Sequence, residues 1–245
     1  MQLKFLLITS FACVVCSCII GWQTKEKQSN NNVPKVVITK PSTSELLNWN
    51  SIIPYTITVT DKEDGNSEYN EIAANEVLLK ITYLPDSAKV KTYLAAAAKD
   101  PEPPGLSLIK TSTCFNCHSV KNKLIGPSFE AIAKKYPNNA KSIAMLANKV
   151  IKGSASVWGT EKMPPHPDIE KSKAIEIINW IIKNSSDPNV DYLPGIEGVF
   201  YTKAKPEKNG GKGVYILTAS YTDHGLPQMQ QQHKEGRHTI VVRSF

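Results

Sequence analysis

The sequence predicts an α+β multidomain chain in which an all-α domain is inserted in, or flanked by, an all-β sandwich. Three observations predict it. Strand-like runs with two-residue alternation occupy both ends, helical periodicity occupies the middle, and breaks rich in Pro, Gly and Asp separate the two textures.

The elements follow in order. KVVIT (35–39) is β-branched, and IPYTITVT (53–60) puts Tyr55, Ile57 and Val59 on one face and Thr56, Thr58 and Thr60 on the other. DKEDG (61–65) reads as a solvated turn rather than a weak calcium loop, and EVLLKITYL (76–84) as another strand. VKTYLAAAAK (90–99) is a short helix and DPEPPG (100–105) a break. From Leu106 to Lys183, apolar residues recur at helical spacing: Ile132, then Ile143, Leu146, Ala147 and Val150, then Ala174, Ile177, Ile178 and Ile181. DPNVDYLPG (187–195) reads as a second break before the strands GVFYTKA (198–204), GVYILTASYT (213–222) and HTIVVRSF (238–245).

Neither set of strands has a second layer of its own. They are therefore read as two parts of one sandwich, 34–88 and 195–245, with a linker over 89–104 and a helical domain over 105–186. Two separate small β pieces are the alternative. Gly213-Val214-Tyr215 followed by Tyr221-Thr222-Asp223 resembles the penultimate strand of immunoglobulin-like sandwiches, in which a tyrosine near the strand start caps a corner.

The N-terminus reads as an export segment. MQLK is basic, FLLITSFACVVCS is apolar, and Val15-Cys16-Ser17-Cys18 resembles a lipobox. Residues 1–18 form this signal and 19–33 a polar tether. A lipid anchor on Cys18, an uncleaved helix from Phe5 to Trp22 and simple cleavage are the three outcomes, and each places the body on the periplasmic side of a bacterial envelope. The formal net charge is +7, but the only arginines are Arg237 and Arg243. No face gathers arginine and aromatics as a nucleic-acid reader does.

Cys13, Cys16 and Cys18 belong to the leader, so the body holds only Cys114 and Cys117. A disulfide across so short a loop would constrain the unfolded chain very little. In TCFNCHSV (113–120) a helical turn would put Cys114, Cys117 and His118 on one face. Two thiols there can each form a thioether to one porphyrin while the imidazole reaches its iron, and Cys-x-x-Cys-His is the attachment pattern of c-type haem. A redox dithiol lacks its βαβ setting here, and a zinc site lacks ligands beyond His166.

LSLIKTSTCFNCHSV, IGPSFEAIAKKY (125–136), VIKGSASVWGTEKMPPHP (150–167) and IINWIIK (177–183) together resemble class I c-type cytochromes, over about a third of the chain. The resemblance implies a small helical fold around one haem c, attached through Cys114 and Cys117. It also implies that the Pro127 carbonyl accepts a hydrogen bond from the His118 imidazole. Met163, in GTEKMPPHP, is the expected second axial ligand beside His118; two prolines stiffen its loop, and the family places its ligand in this context. His166 or an open position are the alternatives. Trp158 is expected to line the haem pocket, with plain packing as the alternative, and Met145 is expected to pack in the core.

Two protein ligands leave no iron position for substrate, so the expected function is one-electron transfer and not catalysis. Leu106–Lys183 holds 12 lysines against five acidic residues, a surplus that would steer acidic redox partners. β segments around such a cytochrome resemble exported modules linked to quinone-dependent sugar dehydrogenases, on ITVTDKEDG, VLLKITYLP and GVYILTASYTDHG. That resemblance implies such a dehydrogenase as donor and another cytochrome or a terminal oxidase as acceptor. The competing reading is a carbohydrate-binding or adhesion module with an accessory haem.

Overall fold

The computed structural model describes residues 30–207, 213–226 and 232–244. The export signal, Cys18 and most of the expected tether lie outside the described residues. Asn31, near the end of that tether, is buried, and its side-chain amide donates to Asp223 Oδ2 at 2.8 Å. Among the described residues no helix is long and apolar enough to cross a membrane.

In chain order the strands and helices are β1 (Lys35–Lys40), β2 (Leu46–Leu47), β3 (Ile52–Asp61), β4 (Gly65–Asn66) and β5 (Leu78–Leu84), then α1 (Val90–Ala97), α2 (Pro104–Thr111), α3 (Phe129–Lys135), α4 (Ala140–Lys152) and α5 (Lys171–Asn184), then β6 (Val190–Pro194), β7 (Glu197–Tyr201), β8 (Val214–Thr222) and β9 (Glu235–Ser244). One sheet is β1-β3-β4, with β7 also on β3; the other is β2-β9-β8-β5-β6. Both mix strands from the two sides of the helices. β7 pairs with β3 through Ile52↔Tyr201 to Thr56↔Glu197, and β5 is held between β8 and β6. Val59, Leu79, Leu217 and Val242, from β3, β5, β8 and β9, are fully buried in one core shared by the two sheets.

Three details differ from the sequence reading. DYLP, taken as part of a break, belongs to β6, because Lys80↔Tyr192 and its neighbours satisfy its backbone against β5. β5 begins at Leu78, since Ala74–Glu76 is a 3₁₀ turn. β7 stops at Tyr201, where the Thr202 hydroxyl donates to Asn48 O at 2.7 Å and the chain leaves the sheet.

Local chemistry sets the helix ends. Pro104 opens α2, where a missing N–H costs nothing. Ser128 caps α3 and Asn139 caps α4, their side chains accepting from Ala131 and Ser142 N–H at 3.1 and 2.9 Å. α2 crosses α5 at Gly105, where a Cβ would stand 2.4 Å from Glu176 O and 2.7 Å from Trp180 Cβ. Gly105→Ala should therefore force the two helices apart and cost about 1–3 kcal/mol, read from urea unfolding.

The helices sit against the outer face of the second sheet. Leu78 and Tyr192 belong to the same buried cluster as Ile109, Phe129 and Ile177. Lys110 and Glu102 form a buried ion pair at 2.8 Å, and Lys121 Nζ donates to Ser185 O and Asp187 O at 2.9 and 2.7 Å. Near this junction, burial pushes the Asp191 carboxyl up to about 6, against the Tyr192 N–H and Lys121, which favour its charge. The folded chain holds that proton more tightly than the unfolded chain, whose aspartates titrate near 3.9. Stability should thus fall as pH rises from about 4 to about 6. Asp191→Asn should abolish that slope and add roughly 1–3 kcal/mol at neutral pH, measured by urea melts across the window.

Candidate cofactor site

Thr113 takes a left-handed φ of 57° and turns the chain out of α2 into a 3₁₀ turn, Cys114–Asn116. The N–H groups of Cys117 and His118 both donate to Cys114 O, at 3.2 and 3.0 Å. The expected helix is thus a single tight turn. Burial pushes the Cys114 thiol up to about 11, the reverse of the depressed pKa that a redox Cys-x-x-Cys requires. Both thiols are free. Among the described residues no three His, Cys, Asp or Glu side chains gather as a metal site.

His118 is buried, with Nδ1 2.7 Å from Pro127 O. A carbonyl oxygen only accepts, so Nδ1–H donates and Nε2 keeps its lone pair. Burial also lowers the His118 pKa, outweighing the Pro127 hydrogen bond that raises it, which favours the neutral imidazole. Two neighbours fix the ring. Phe129 stacks on it at 5.4 Å with 19° between planes. Gly126 lies so close that a Cβ there would stand 2.4 Å from His118 Cε1. The Gly126 N–H, at the start of this loop, donates to Cys117 O at 2.8 Å.

Met163 is placed by a second device. Gly153 ends α4 at a φ of 76°, and a Cβ there would come 2.8 Å from Met163 O. Ser154 and Met163 then exchange backbone hydrogen bonds at 3.1 and 2.9 Å, closing the intervening loop. Trp158 lies on that loop with Lys135 Nζ 4.7 Å from its ring centre.

Cys114, Cys117, His118, Pro127, Trp158 and Met163 all line one cavity, which holds ≈ 1340 Å³ of empty space including its open mouth. His166 lines it too. Its apolar walls come from Phe129 on α3, Leu146 and Val150 on α4, and Ile177, Ile178 and Ile181 on α5. Met145 does not pack in the core: it is 39% exposed, on a face of α4 turned away from Leu146 and Val150. The donor set fits a c-type haem: two free thiols, an imidazole with an available Nε2 and a thioether, all on an apolar cavity.

Over 75 residues the chain is 36% identical to cytochrome c-552 of Nitrosomonas europaea, covering 31% of this chain and 73% of that protein. The chain belongs to the c-type cytochromes. The cytochrome is also 36% identical over 78 residues to cytochrome c-551 of Azotobacter vinelandii, covering 32% of this chain and 94% of the relative. The crystal structure of wild-type Nitrosomonas europaea cytochrome c552 aligns with 32% of this chain and 96% of its own at 35% identity, with a TM-score of 0.31. No protein-family model matches. The cytochrome carries a covalently bound haem c and acts as an electron carrier rather than an enzyme. The sequence reading had given no role to Gly126 or Gly153. The signals were present, as glycines in IGP and IKGS beside the ligand-bearing segments, but close approach is a three-dimensional property.

Proposed function

We propose that His118 Nε2 and the Met163 sulfur are the two axial ligands of a low-spin iron, and that the cytochrome shuttles single electrons at a bacterial cell envelope. The observation that carries this is the Nδ1–Pro127 hydrogen bond, which leaves Nε2 as the available donor on a cavity that Met163 also lines. The haem, when bound, supplies a reversible one-electron change. The Pro127 carbonyl raises the donor strength of the imidazole, and the apolar walls keep water from the metal. His/Met ligation favours the reduced state relative to two histidines.

Lys149 and Lys162 line the cavity, and with Lys135 beside Trp158 they offer positive charge to an acidic partner. Lys110 is committed to Glu102 in a buried ion pair, so the steering charge is smaller than the sequence count. A quinone-dependent dehydrogenase is the proposed donor, and a cytochrome or terminal oxidase the acceptor. The β strands form the two parts of an immunoglobulin-like sandwich around a helical domain over 105–186. Tyr215 supports that reading, since its hydroxyl accepts from the Lys203 N–H at 2.7 Å in the manner of a corner tyrosine. A lipid on Cys18 would hold the protein at the membrane on the periplasmic side.

Absorption spectra of protein expressed with haem-maturation machinery test the core of this. A low-spin spectrum with a sulfur-to-iron band in the oxidised form is expected. Ready binding of carbon monoxide by the reduced protein would overturn the ligation. Stopped-flow mixing with a reduced quinone-dependent dehydrogenase should reduce the haem faster at low salt than at high salt.

A further inference from the structure

β7 lies at an open edge of the first sheet: it pairs with β3 and with no other described strand. Phe200 faces the core shared by the two sheets. Its neighbours Val199 and Tyr201 face outwards and are 47% and 68% exposed, and Ile52, paired with Tyr201 on β3, is 59% exposed. Pro54, paired with Val199, is exposed as well. The four side chains form one apolar patch at the margin of the sheet, not singly scattered residues. Sheet edges are commonly shielded by lysine or proline. β7 reads EGVFY and has neither; its one charge is Glu197, at its start.

The backbone register shows which groups of β7 are left over. The Ile57 N–H donates to Ile196 O at 2.6 Å, and the Thr202 N–H to Ser51 O at 2.9 Å. Hydrogen-bonded and unbonded pairs alternate along antiparallel strands. Gly198 and Phe200 therefore take the bonded positions, opposite Tyr55 and Ile53. Pro54, which has no N–H, falls at an unbonded position, opposite Val199. The N–H and C=O groups of Glu197, Val199 and Tyr201 thus point away from β3. No backbone hydrogen bond from another described element reaches them. The residues with outward side chains are also those with outward backbone groups.

We propose that this edge is a docking surface for a second copy of the chain, the two β7 strands pairing antiparallel about a two-fold axis at Val199. The edge is self-complementary in that register. Val199 meets Val199 of the second copy, and Glu197 meets Tyr201 of the second copy. Every outward N–H and C=O of β7 then gains a partner. Paired residues of antiparallel strands share a face, so the two apolar patches become continuous. Glu197 meets a phenol that can donate to it and not its own image, so no like charges are opposed. Ile52, Pro54, Val199 and Tyr201 with the β7 backbone would bury on the order of 1,000 Å² over both copies, the low end for a specific interface. A weak, reversible dimer is the expected product. The helices rest on the other sheet, so the pairing asks for no change at the haem cavity. It brings two haem-bearing chains into one assembly, and it does not depend on the axial ligands or on the redox partner.

The test uses full-chain holoprotein in mild detergent, with the photo-cross-linking residue p-benzoylphenylalanine in place of Tyr201. Illumination should give a covalent dimer, and mass spectrometry of its peptides should place the new bond on the β7 segment of the second copy, near Glu197. Val199→Lys sets two like charges on the two-fold axis, and the dimer yield should fall at least about tenfold, the equivalent of about 1.4 kcal/mol. Thr60→Lys, on the same face of β3 but beyond β7, should leave the yield unchanged. Both variants should keep the haem absorption spectrum and the thermal unfolding of the parent, which shows that neither fold nor cavity is disturbed. Absence of a dimer would overturn the proposal. So would a bond mapped outside β7, which would report association through another segment, or an equal yield in Val199→Lys. The same illumination in expressing cells distinguishes the occupants: a dimer joined at β7 supports a second copy, whereas an adduct with a different protein in place of that dimer overturns it.

Discussion

Met163→Leu will abolish the sulfur-to-iron band, convert the oxidised iron to a higher spin state and let the reduced protein bind carbon monoxide. Leucine keeps the volume and apolar character of methionine, so the fold should lose less than about 1.5 kcal/mol. The effect is thereby isolated to ligation. The midpoint potential should fall on the order of 0.1 V, a modest part of the about 0.8 V range that axial ligands cover. A low-spin spectrum retained in this variant would reassign the sixth position, with His166 as the first candidate because it lines the same cavity.

Gly126→Ala will have the largest structural effect of any single methyl addition around the cavity. The added carbon would stand 2.4 Å from His118 Cε1 and 2.8 Å from Nδ1, and neither contact is with the end of a flexible chain. Phe129 blocks the other face of the ring, so the imidazole cannot simply retreat. It must tilt, and tilting breaks the 2.7 Å hydrogen bond to Pro127 O. A loss of about 1–3 kcal/mol in stability is expected, together with reduced haem attachment and a shifted potential. Unchanged thermal unfolding and potential would show that the loop yields instead.

Much of the cofactor site was legible in the sequence because its chemistry is local. Cys114, Cys117 and His118 are set by spacing within one turn, and Met163 by the prolines that follow it. All four line the cavity, as do Pro127 and Trp158. Periodicity also identified the apolar walls through Leu146, Val150, Ile177 and Ile181. It misled at Met145, which stands among Ile143, Leu146 and Ala147 along the chain but, at helical spacing, on the opposite face of α4, where it is exposed. β6 was missed because DYLP carries the turn residues Asp and Pro; its strand character comes from pairing with β5, more than a hundred residues earlier. The commitment of Lys110 and Lys121 was invisible for the same reason. Their partners lie in the linker and at the end of α5, and charge counting along the chain does not reveal them.

The interleaving of the two sheets constrains the order in which the molecule can be assembled. As the chain emerges from its N-terminus, β3 and β5 appear well before β6, β7 and β8, their partners across the helical segment. Until those later residues arrive, the apolar sides of Ile57 and Leu79 have no opposing layer to close on, whereas Cys114 to Asn184 can already gather around a porphyrin. Loading the prosthetic group is therefore expected to precede closure of the sandwich, with the finished helical unit serving as the template against which Leu78 and Tyr192 come to rest.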